Sequence, residues 1–176
     1  MAGVTILSGP IGAGKTAVSK ELIALWSAPL ATIEGDQFWS FLVKRAEGDR
    51  REDFRVIMRA MTSAAGSLAR TGYDVLLNFS IPPAFLPTAQ KILRDAPLDY
   101  IVQRPPLEVC AARARDRAEG KITNYDRGFY ALFAAAERHV VAPDNGKSPK
   151  AIAEILHTGL KEGSFRVEPA TDLTPI

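Results

Sequence analysis

Gly9-Pro10-Ile11-Gly12-Ala13-Gly14-Lys15-Thr16 is the stretch on which the fold turns. It meets G-x-x-x-x-G-K-[ST] at every fixed position. Its flanks are those the motif requires. Val4-Thr5-Ile6-Leu7 before it is short, β-branched and apolar, as a buried strand is. After it, Val18, Leu22, Leu25 and Trp26 recur at helical spacing, and Pro29 closes that helix from outside. The glycines allow the backbone to curl so that successive N–H groups face phosphate oxygens. A helix starting near Gly14 turns its positive dipole end toward the same anion. Lys15 then supplies a compact cation for the β- and γ-phosphates, and the Thr16 hydroxyl a ligand for Mg²⁺. A chance glycine-rich turn is the weaker reading, because strand and helix are both in place.

Outward from the octet, strand-like and helix-like segments alternate. Strands are predicted at 30–33, 73–79, 99–103 and 140–141, and helices at 36–47, 52–71, from Pro83 to about Arg94, 106–117, along the face Phe129 to Ala136, and from Pro149 to about Leu160. Gly72 is placed to end the long helix in a left-handed cap. Ser148-Pro149 reads as an N-cap followed by proline at the first helical position. Five strand–helix alternations imply crossover units and a parallel sheet covered on both faces, in one α/β domain over 1–176.

Composition narrows the function classes. A hydrophobic fraction of 47% with 24% charged residues suits one well-buried soluble core. A formal net charge of +2 is too small for a nucleic-acid coat, so nucleic acid is not the expected partner. With Cys110 as the one cysteine there is no intramolecular disulfide and no thiol-cluster metal site, which fits a reducing cytoplasm. No signal peptide is expected, and no apolar run reaches the ~20 residues of a membrane span. The chain is expected as a monomer or homodimer.

Two further clusters bear on chemistry. Glu34-Gly35-Asp36-Gln37-Phe38-Trp39 follows the second predicted strand, and ligands of open parallel sheets bind beyond the strands' carboxyl ends. Asp36 there could hold an acceptor hydroxyl, take its proton, or bind Mg²⁺ directly or through water. The competing reading makes Asp36 only a helix cap. Glu34 is the next candidate. In Arg113-Ala-Arg115-Asp-Arg117, Arg113 and Arg117 share a helical face and could close on the charge of a transferring phosphoryl group, while Arg115 points away.

GPIGAGKT, EGDQFW, a strand ending near Asn78, and RARDR together resemble the small P-loop kinases: the chloramphenicol phosphotransferase-like, shikimate/gluconate kinase-like and zeta-toxin-like P-loop NTPases, with nucleoside monophosphate kinases further off. The resemblance spans roughly Val4 to Leu160. It implies a three-layer α/β/α fold with a five-stranded parallel sheet in the order 2-3-1-4-5, an acceptor region at about 36–72 and an arginine-bearing lid at about 113–127. It implies ATP and Mg²⁺ as cofactors, Asp36 at the acceptor hydroxyl, Arg113 and Arg117 on the lid or adenine side, and Asp144-Asn145-Gly146 passing the adenine ring. Asn78 stands where many relatives carry a Walker B aspartate, so it brings no charge to the metal.

The leading expectation is a kinase for a hydroxyl of a small molecule. A nucleoside monophosphate kinase is the alternative; its acceptor phosphate needs fixed cations, and Arg55 and Arg59 on one helical face are the best-placed pair. A non-catalytic nucleotide switch and a nucleic-acid 5′-kinase rank lower. Trp39, Tyr125 and Tyr130 read as packing or lid residues and Cys110 as a small buried one.

Overall fold

The computed structural model describes residues 2–44, 50–94, 96–117, 125–134, 140–141 and 146–168. In chain order the regular elements are β1 Val4–Ser8, α1 Lys15–Ala24, β2 Leu30–Glu34, α2 Arg50–Arg70, β3 Asp74–Asn78, α3 Leu86–Leu93, β4 Leu98–Gln103, α4 Leu107–Arg117, α5 Arg127–Ala131, β5 Val140–Val141 and α6 Pro149–Lys161.

All strand pairings are parallel, and the strand order is β2-β3-β1-β4-β5. Four strands of five or six residues form the body of the sheet. The fifth strand, expected at 140–141, is those two residues, Val140 and Val141, paired with Val102 and Gln103. Neighbouring side chains on each strand go to opposite faces. Ile6, Leu77 and Tyr100 lie in register and join the core under α2 and α3. Leu7, Leu76 and Ile101 join the core under α1 and α6. Strands apolar on both faces explain the continuous apolar runs of the sequence.

The helix boundaries follow from local chemistry. Gly72, at φ 99°, ends α2 in the left-handed conformation, with its N–H and that of Tyr73 donating to Ala69 and Leu68. Ser148 Oγ accepts from Ala151 N at 3.2 Å and Pro149 opens α6. Two expectations need correction. The helix expected over 36–47 is a 3-10 helix, Gly35–Phe41. Its tighter winding eclipses residues three apart, which brings the Phe38 and Phe41 rings edge to face at 5.0 Å. The helix expected from Phe129 to Ala136 stops at Ala131 and continues as turn to 134; Ala136 lies outside the described residues.

Candidate active site

At the carboxyl ends of the strands, the exits of β1, β3 and β4 are tied together. Ser8 Oγ donates to Ile81 O at 2.6 Å and accepts from Ile81 N at 2.9 Å, and the Tyr100 hydroxyl donates to the same carbonyl at 2.6 Å. Out of this knot runs the glycine loop. Gly9, Gly12 and Gly14 have φ of 142°, 79° and 90°, values that side chains strain to adopt. A Cβ on Gly9 would run into the Gln103 carbonyl, and one on Gly12 into the Cys110 carbonyl. The loop is thus pressed between the end of β4 and α4, and glycine is required by space as well as by φ.

Inside the loop the Lys15 ammonium makes three hydrogen bonds: to Gly9 O at 3.0 Å, Pro10 O at 3.1 Å and Ser80 Oγ at 2.9 Å. Burial pushes its pKa down from 10.5 to about 8, against an upward pull from Asp36 and a smaller one from Glu34; Arg117 adds to the downward push. At the inner wall, buried Gln103 Oε1 has no hydrogen-bond partner among the described residues. The curled backbone, central cation and exposed Thr16 at the start of α1 fit a nucleotide triphosphate.

The acidic side of the site comes from β2. Glu34 ends that strand, and Asn78 Nδ2, at the end of the adjacent β3, donates to both of its carboxylate oxygens at 3.1 and 2.8 Å. The residue in the Walker B position therefore orients a carboxylate. Asp36 sits exposed in the first turn of the 3-10 helix; the capping position belongs to Glu34, so Asp36 is not the cap. Gly35 between them packs so closely on the Phe79 ring that a Cβ would collide with it.

From the other side, α4 presents its arginines to the loop. Arg113 Nη1 lies 3.5 Å from where a Gly14 Cβ would stand, and Arg117 bears on Lys15 electrostatically. Arg115 is exposed on the same helix. The Tyr125 hydroxyl, whose pKa burial raises, donates to the loop carbonyl of Ile11 at 2.6 Å; Tyr130 does the same to Pro105 O at 2.8 Å. Cys110 is buried under the loop, its Sγ 3.7 Å from Pro105 O. Asp144 and Asn145, expected beside the adenine, lie outside the described residues, as do 118–124 of the expected lid.

Beyond Asp36 stands a cluster of rings. Phe54 of α2 meets Trp39 at 6.4 Å, Phe79 at 5.5 Å, Phe85 at 5.9 Å and Phe129 at 6.4 Å between centroids. Trp39, Phe54, Phe85 and Phe129 are half-buried, while Arg55 and Arg59 of α2 are exposed. Sequence reasoning missed Ser80 and the Asn78–Glu34 pair. Their signal was the strand order, which places the end of β3 between β1 and β2.

No family model matches the chain, and no curated protein matches its sequence. Solved structures do match its fold. The tunicamycin resistance protein of Deinococcus radiodurans is 16% identical, with a TM-score of 0.70 over 96% of this chain and 100% of that one. An APS kinase of Mycobacterium tuberculosis, solved with AMPPNP and APS, is 20% identical with a TM-score of 0.61 over 91% and 98%. A sugar kinase from Janibacter sp. HTCC2649 is 19% identical with a TM-score of 0.56 over 92% and 95%.

Proposed function

From a chain with the fold of the small P-loop kinases, we propose an ATP-dependent phosphotransferase that acts on a hydroxyl of a small molecule. The observation that carries this reading is the Lys15 ammonium, held in the glycine loop with the Glu34 and Asp36 carboxylates close enough to act on it. A cation for the phosphates and a carboxylate for the acceptor are the two groups phosphoryl transfer to an alcohol needs.

The loop N–H groups and Lys15 bind the triphosphate. Asp36 orients the acceptor hydroxyl and takes its proton as the acceptor oxygen bonds to the γ-phosphorus and the bond from that phosphorus to the β–γ bridging oxygen breaks. ADP and the phosphate monoester leave, and the proton passes from Asp36 to solvent. Arg113 and Arg117 neutralise charge on the transferring group. The Thr16 hydroxyl, with Asp36 directly or through water, would hold Mg²⁺, which would supply charge neutralisation to the phosphates. The lone thiol, Cys110, suits a reducing cytoplasm.

The deciding experiment is ADP release from MgATP against sugars, nucleosides, nucleoside monophosphates and uncharged alcohols, with Lys15→Ala as control. One acceptor class should raise ADP release and yield a phosphate monoester. Failure of the wild-type protein to bind MgATP any better than Lys15→Ala would overturn the reading.

A further inference from the structure

We infer that Ser80 is a positioning residue for phosphoryl transfer, fixing the direction of the Lys15 ammonium. The inference rests on the kinase reading above. An ammonium has three N–H donors, and in this structure all three are taken. Two acceptors are loop carbonyls that any sequence would offer. Ser80 Oγ, at 2.9 Å, is the one side chain among the three.

Ser80 is held where it can do this. Phe79 and Ile81 on either side are buried in the core, and Ile81 is pinned by Ser8 and Tyr100. Phe79 N donates to Leu7 O at 3.3 Å, which anchors the chain on the other side. Beyond the end of β3 the chain turns: Ile81 N donates to Phe79 O at 3.0 Å, which puts Ser80 at the apex of a three-residue turn, where its hydroxyl meets Lys15. Its hydroxyl proton is not used by the bond to Lys15, so the polarised O–H is left to donate to an oxygen that the lysine neutralises.

Lys15 sits among opposing charges: Glu34 and Asp36 from the end of β2 and the turn after it, and Arg117 from α4. Arg113 lies beside Gly14, one residue away. Within that set the hydrogen bond that Ser80 Oγ accepts from the ammonium fixes where the charge points. Removing it should let the ammonium swing.

The test uses the whole chain, MgATP, and water or the acceptor that the ADP-release screen identifies. Lysine side-chain NMR, with Lys15 assigned by its absence in Lys15→Arg, should show the Lys15 Nζ resonance shifted in Ser80→Ala. In the same variant kcat should fall about tenfold, with a smaller change in KM for ATP. Ser80→Thr, which keeps the hydroxyl, should restore both readouts. Ser80→Cys, close in size but a poor acceptor, should move them as Ser80→Ala does, guarding against a folding defect in one variant. A Ser80→Ala protein with wild-type kcat and an unmoved Lys15 resonance overturns the inference, and so does a Ser80→Cys protein that behaves as wild type. Loss of MgATP binding in Lys15→Ala alongside either result leaves the kinase reading standing; absence of MgATP binding in the wild type removes that reading instead.

Discussion

The proposed nucleotide cradle and the proposed acceptor face meet at Asp36, yet they are built in opposite ways. The cradle is eight consecutive residues that offer main-chain groups, with three positive-φ glycines, two of which, Gly9 and Gly12, are pressed on the carbonyls of Gln103 and Cys110. The proposed acceptor face is gathered from the 3-10 helix Gly35–Phe41, the start of α2, the end of β3, the turn at Phe85 and α5, and what it offers is side chains. A phosphate chain presents the same oxygens in every nucleotide, so one backbone shape serves many proteins. Acceptors differ in every feature except the hydroxyl, so their recognition is left to side chains on separate segments.

The sharpest way to break this contrast is Lys15→Ala. It removes the only side-chain cation inside the loop and should reduce phosphoryl transfer ~10³-fold, with weaker MgATP binding, measured by ADP release and nucleotide titration. A variant that kept wild-type turnover would take the cradle out of the chemistry.

Asp36→Asn should come next, with kcat down ~10²-fold and MgATP affinity retained. Because Asp36 does not cap its helix, the melting temperature should stay close to wild type, and so should that of Asp36→Ala. Glu34→Gln is the informative partner. It weakens the Asn78 clamp and should affect kcat less; the reverse ranking in the same kinetic assay would make Glu34 the proton acceptor.

Smaller still, Arg113→Ala and Arg117→Ala should each lower kcat about tenfold while changing acceptor KM little, because their charge is needed most in the transition state. Arg115→Ala should match the wild type. Equal rates across all three would assign α4 to the surface.

The pH response tests the cradle without any acceptor. Lys15 titrates at about 8 in the folded protein and at 10.5 when unperturbed. Between those values the unfolded chain holds the extra proton, so this group makes the nucleotide-free protein more stable as pH rises from about 8 toward 10.5. MgATP needs the charged lysine, so its affinity should fall several-fold over the same rise. Melting curves with and without MgATP at neutral and alkaline pH should therefore converge, and Lys15→Ala should show no such convergence.

The smallest effects belong to the acceptor face. Trp39→Leu should raise acceptor KM by roughly threefold to tenfold with kcat and ATP binding unchanged, since a ring contact is lost while a smaller apolar side chain remains. Arg55→Ala and Arg59→Ala, on exposed positions, should do nothing measurable for an uncharged acceptor. A sharp rise in KM for a nucleoside monophosphate in either variant would move the proposal to that alternative.

By itself the sequence determined the order of elements, the glycine loop with Lys15 and Thr16, and the candidacy of Asp36, Arg113 and Arg117. Each is written in residues close together: a motif of eight, a period of 2 in the strands, a period of 3.6 in the helices. Tertiary structure alone decided that Ser80 holds Lys15 across 65 positions, that Asn78 clamps Glu34 across 44, and that Tyr125 reaches Ile11 across 114. It also turned the expected helix after β2 into a tight 3-10 helix. The physical reason is that a parallel sheet sets the ends of strands distant in sequence side by side, β3 between β1 and β2. A hydrogen bond between neighbours in space leaves no spacing in the chain by which it could be read.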